Sequence, residues 1–161
     1  MQIPQRLINF LEERHAPYER LKHPPRFTAQ ELAEVEHIDG RHHAKVVMLK
    51  QGSDSWMMVL PADRMIDFDK LPALTGRGVT LATEGEFKSL FPDCETGAMP
   101  PFGELYGVPT YVDQTLKDDD YIVFEAGTHT DAMRMKYREW ERLAHPVVAD
   151  FSIGNGQAKS V

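Results

Sequence analysis

Lys45 opens an otherwise apolar run, Ala44-Lys45-Val46-Val47-Met48-Leu49-Lys50. Side chains alternate faces along a strand, so Lys45, Val47 and Leu49 fall on one side. If that side is the core, the ammonium is costly unless it meets an anion. It can then bind a phosphate or a substrate carbonyl. At an edge, the same charge would only discourage aggregation.

A second segment, Gly97-Ala98-Met99-Pro100-Pro101-Phe102-Gly103, follows about fifty residues on. Glycine lets backbone N–H groups approach a ligand, and two prolines stiffen the chain. Such a loop can hold an ester carbonyl or a terminal ribose with backbone groups alone; it can equally be a surface turn. A third segment, Gly127-Thr128-His129-Thr130-Asp131, offers a loop histidine between hydroxyls. That histidine can hydrogen-bond a substrate or a water, or simply face solvent.

His23, Glu36, His37, His42 and His43 raise the question of a metal. Neighbours on a strand point to opposite faces, so His42 and His43 do not readily share one ion, and no carboxylate–histidine helix spacing supports them. No metal site is expected. Cys94 has no motif around it and reads as an inert thiol. Met48, Met57, Met58, Met133 and Met135 read as core filling.

The elements that must position these groups are an irregular mixture. Leu7, Ile8 and Leu11 share a helical face between Pro4 and Arg14. Tyr18 to His23 alternates as a short strand stopped by Pro24-Pro25. Thr28-Ala29-Gln30-Glu31 and Thr83-Glu84-Gly85-Glu86 are capping-box patterns, each opening a helix. Ala44 to Leu49 and Ser55 to Leu60 flank Gln51-Gly52-Ser53-Asp54, a hairpin signal. Val79 to Ala82, Thr110 to Val112 and Tyr121 to Phe124 read as strands. Residues 132–137 alternate with period two, and Arg138 to Leu143 suits a helix ended by His145-Pro146. The pattern predicts an α+β fold with a mixed, mostly antiparallel sheet.

The 161 residues, 42% hydrophobic and 27% charged, fit one domain with a substantial core. No apolar run approaches a membrane span, and Met1 to Arg6 leads into Glu12 and Glu13 without the character of a signal peptide. The single cysteine suits a reducing compartment, so a cytoplasmic location is expected. A net charge of −7 with no basic block argues against gripping a long nucleic acid, leaving at most its tip. No glycine-rich phosphate loop, GxSxG elbow, HExxH or CxxC is present.

In combination, the order of pieces is specific: His23 with Thr28-Ala29, Lys45 in AKVVMLK, Leu60-Pro61-Ala62, GAMPP at Gly97 to Pro101, then Gly127-Thr128-His129. It resembles the YbaK/EbsC family, which includes the editing insert of bacterial prolyl-tRNA synthetases. The resemblance runs from about Ile3 to about Phe151. It implies one domain over residues 1–153, with a barrel-like sheet flanked by helices, and a polar, flexible tail over 154–161.

The family implies hydrolysis of an amino acid wrongly attached to tRNA, without metal or organic cofactor. Lys45 would anchor the terminal nucleotide or the aminoacyl group, and Gly97 and Pro101 would frame the loop that positions the ester. His129 would line the amino-acid pocket. Thr28, Met99, Pro100, Gly127 and Thr128 would complete the substrate contacts. The attacking water would be held by backbone groups and the terminal ribose hydroxyl. The implied partner is the acceptor end of an aminoacyl-tRNA, with a synthetase as a further candidate, and neither DNA nor membrane. A small residue is expected, alanine on prolyl-tRNA first, with serine, threonine and cysteine open. A non-catalytic tRNA-end or synthetase-binding module is the main alternative, and a histidine-based metallohydrolase the third.

Overall fold

Gly52 takes φ +60° at the first position of a two-residue loop, the conformation that lets a hairpin turn follow the twist of its strands. It joins β2 (Ala44–Gln51) to β3 (Asp54–Pro61), which pair antiparallel from Ala44–Pro61 to Gln51–Asp54. The computed structural model describes residues 1–23 and 42–154, and this hairpin is its centre. The predicted helix from Thr28, and Thr28 itself, lie outside the described residues, as do Glu36 and His37.

Around the hairpin runs a five-stranded sheet. β5 (Thr80–Leu81) lies antiparallel on β2, while β6 (Thr110–Asp113) runs parallel to β3 and β9 (Val147–Ala149) parallel to β6. A three-stranded antiparallel sheet is ordered β1 (Glu19–Lys22), β8 (Asp131–Lys136), β7 (Tyr121–Thr128). A parallel bridge between His43 and Val123 links it to the start of β2, with the Val123 N–H donating to His42 O at 3.0 Å. β4 (Arg64–Ile66) and β10 (Ser152–Gly154) form a separate pair. The fold is thus α+β, with mixed, mostly antiparallel sheets flanked by helices and, among the described residues, no closed barrel. Gly154, where the expected tail begins, is the last residue of β10.

Helix α1 (Gln5–Glu13) buries Leu7, Phe10 and Leu11 along one face. The short α2 (Pro72–Thr75) carries Pro at its first position, where no N–H is needed. α3 (Glu84–Phe87) starts with the predicted capping box, Thr83 and Glu86 satisfying each other's backbone N–H. α4 (Tyr137–Ala144) buries Tyr137, Trp140, Leu143 and Ala144 and stops at left-handed His145. No helix among the described residues is long and apolar enough to cross a membrane.

The main core lies between the two larger sheets. Ile122, Phe124, Ala126, Met133 and Met135 from the three-stranded sheet meet Ala44, Met48, Met57 and Val59 from the hairpin, with α1 and α4 closing the sides. Leu49, Met58, Leu60 and Phe151 form a smaller core on the other face of the hairpin. All five methionines assigned to the core are at most 3% exposed. Their flexible thioethers fill the irregular space between strands.

Candidate functional site

The Gly97 loop and the Gly127–His129 turn, about thirty residues apart in sequence, are stitched into one unit. Glu95 N–H donates to Gly127 O at 2.8 Å, and Gly127 N–H returns a bond to Ala98 O at 2.8 Å. The His129 N–H donates to a Glu95 carboxylate oxygen at 2.8 Å, and its Nε2 lies 2.8 Å from Thr96 O. Among the described residues, the Ala98 amide donates to Glu95 O, while the Gly97 and Met99 amides have no protein acceptor. The loop is therefore fixed from behind and keeps the exposed Gly97 amide as a backbone donor at its tip.

Both glycines are required by conformation, for different reasons. Gly97 has φ +90° and is exposed, and an added Cβ would meet His129 Cε1 at an ordinary 3.6 Å. Gly127 has φ +91°, but there a Cβ would fall 2.3 Å from Pro4 Cδ. The turn thus rests directly on the start of α1. A register shift between Glu125 and Thr128 accommodates it, so Gly127 and Thr128 extend β7 beyond the predicted Phe124.

The prolines are not surface residues. Met99, Pro100 and Pro101 are buried, and the Trp140 indole N–H donates to Pro101 O at 2.9 Å. Thr128 is fully buried, its hydroxyl donating to Asp131 at 2.6 Å, and Asp131 also pairs with Lys22 at 2.7 Å. Backbone apart, these side chains hold the loop and turn in place. Gly97 and His129 stand at the rim.

Lys45 is half-buried on the face of β2 that carries Val47 and Leu49 into the smaller core. Burial lowers its pKa, opposed by the nearby Asp63 carboxylate. Its one hydrogen bond among the described residues is long, 3.5 Å from Nζ to Ala62 O. Asp63 Oδ1 is buried with no hydrogen-bond partner. From the His43–Val123 bridge, strand alternation places Lys45 and Glu125 two residues along, on the same face. No bond joins them.

Sequence reasoning missed Glu95, Asp63 and Glu125. Burial pushes the Glu125 carboxyl up to about 7, with the Glu95 charge acting in the same direction and His129 opposing it. The signal was a lone carboxylate between Phe124 and Ala126, two residues before the glycine of the third motif. Cys94 is buried beside Tyr106, and burial pushes its thiol up to about 11, so it is no nucleophile. His42 stacks on Tyr121 and His43 is fully buried. No group of three or more His, Cys, Asp or Glu among the described residues is placed to hold an ion. A cavity of about 730 Å³ between β1, β7 and β8, lined by Tyr18, Lys117, Arg134 and Arg138 among others, contains none of the expected site residues that are described.

The α+β fold is shared by solved structures. One, described as a proposed trans-editing enzyme for prolyl tRNA synthetase, superposes with a TM-score of 0.80 at 24% identity, covering 93% of this chain and 96% of that one. A hypothetical protein superposes at 0.83 with 21% identity, covering 92% and 99%. A signal transduction protein of Marinobacter aquaeolei VT8, so described on proposal, superposes at 0.76 with 18% identity, covering 98% of this chain and 32% of that one. No curated protein matches the sequence. The aminoacyl-tRNA editing domain family matches residues 23–143, and the chain belongs to it.

Proposed function

We propose that this chain is a deacylase that works in trans on mischarged tRNA, hydrolysing the ester of a small amino acid. Alanine on prolyl-tRNA is the first substrate to test. The observation that carries the reading is the Gly97 loop: bonded to Gly127 and His129 from behind, with the Gly97 amide left to a ligand. An aminoacyl ester is already activated. Holding its carbonyl, stabilising the oxyanion that develops and placing a water can suffice without a side-chain nucleophile.

In this reading Lys45 meets the terminal phosphate or the ester oxygen. Its partial burial makes an anion welcome, because the ammonium has given up part of its hydration. His129, held by Thr96 O, lines the amino-acid pocket beside Gly97. Selection follows from size: a pocket that admits alanine excludes proline, the logic of a second sieve. The net charge of −7 favours contact with the acceptor end alone, or delivery of the tRNA by a synthetase.

The test is deacylation of Ala-, Ser-, Thr- and Cys-charged tRNA by the protein and by Lys45→Ala. Hydrolysis of one species, reduced about a hundredfold in the variant, is expected. A folded protein that hydrolyses none, with a synthetase supplied, would leave the tRNA-end or synthetase-binding module in its place.

A further inference from the structure

We propose that Glu125 is the receptor for the substrate's α-ammonium group and so restricts the site to aminoacyl esters with a free amine. The inference rests on the deacylase reading and adds a residue that the loop and the lysine do not supply.

Three placements support it. Glu125 lies on the face of β7 opposite Ile122, Phe124 and Ala126, which are committed to the main core. It precedes Gly127 by two residues, so it stands where the Gly97 loop and the His129 turn join β7. It also lies on the same face as Lys45, at the same distance beyond the His43–Val123 bridge.

Its partners are unlike those of its neighbour. Glu95 is committed, accepting the His129 N–H. The Glu125 side chain, half-buried, has no hydrogen bond or ion pair among the described residues, although the Glu95 and His129 charges both act on it. Two carboxylates beside one imidazole leave a surplus of acceptors and a deficit of positive charge. Burial makes the Glu125 anion unfavourable, His129 opposes that and Glu95 adds to it, and an arriving cation offsets what remains.

Every aminoacyl-tRNA brings such a cation. Its α-ammonium is separated from the ester carbonyl by a single carbon. With the carbonyl at the Gly97 amide, the ammonium is held within the same few ångströms of the rim. A charge-assisted hydrogen bond to Glu125 then orients the ester and withholds the site from blocked amines.

The experiment compares alanyl-tRNA with N-acetyl-alanyl-tRNA, or the equivalent pair for whichever residue is hydrolysed, using the protein, Glu125→Gln and Glu125→Asp. The unaltered protein should prefer the free amine by about tenfold to a hundredfold. Glu125→Gln should lose that preference by slowing on the free ester, chiefly through KM, with the acetylated ester little changed. Glu125→Asp should recover part of it. A protein that cleaves both esters equally overturns the proposal without any variant. An unchanged preference in Glu125→Gln overturns it too. So does an equal loss of kcat on both esters, which would make Glu125 a partner of the water. A protein inactive on every ester overturns the deacylase reading itself and this inference with it.

Discussion

The segment from Glu95 to Pro101 is held by backbone and side-chain hydrogen bonds to Gly127, His129 and Trp140, all between 2.8 and 2.9 Å. Lys45, the candidate on β2, has among the described residues one hydrogen bond, of 3.5 Å, and an ordered hairpin beneath it. The first region is therefore a backbone frame fixed at several points. The other is a charge on a firm strand whose head is free to meet a ligand. Under the proposed function the difference would divide the work: the frame would fix where the ester sits, and the charge would contribute once an anion arrives. Changes to the frame should cost stability and activity together, whereas changes to Lys45 should cost activity alone.

The largest effect should come from Gly127→Ala. It combines left-handed strain with a clash against Pro4, and about 3–5 kcal/mol of unfolding free energy should be lost in a denaturant titration. A loss below about 1 kcal/mol would show that α1 yields easily and that the frame is not rigid.

Acid should loosen the other half. His43, at the entry to β2, is fully buried, and burial, then the His23 charge, lowers its pKa from 6.5 to about 4. The unfolded chain takes up that proton below about pH 6.5, while the folded one does so only near pH 4. Stability should therefore fall as the pH drops through this window, by about 3 kcal/mol, and level off below it. Melts from pH 7 to 4 check this, and His43→Gln should flatten the dependence.

Trp140→Phe keeps the ring in the core but strips Pro101 O of its donor. A loss of about 1–2 kcal/mol is expected, with slower deacylation. If the rate is unchanged, the loop does not need its clamp. Gly97→Ala should be the mildest in stability, about 1 kcal/mol, since only its φ is strained. Its activity should nonetheless fall more than that of Trp140→Phe, because the methyl sits at the rim beside His129.

The turns were legible in the sequence through their glycines. Gly52, Gly97 and Gly127 each mark a positive φ, and the Thr83 capping box was stated by its own four residues. The unseen parts depend on partners far along the chain. β4, β9 and β10 are three residues each, too short to show a period, and they form only because β6 and one another are nearby. Pro100 and Pro101 have the composition of a surface turn, and they are buried with their carbonyls satisfied by the Phe102 N–H and the Trp140 indole. Glu125 was hidden by alternation: a carboxylate between apolar residues of a strand reads as its solvent face. The positions of Lys45 and His129 came from the order of motifs, which no single motif carried.

Trp140 lies 39 residues after the carbonyl it holds, and the parallel strand β9 follows it. As the chain emerges from a ribosome, the Gly97 loop is made early, meets Gly127 and His129 next, and gains its last hydrogen bond, at Pro101, only once α4 has appeared. Such non-local closure is slow compared with a hairpin. The loop is thus among the last parts to become competent, and chains truncated before Trp140 would carry all three motifs yet lack the clamp that holds the loop.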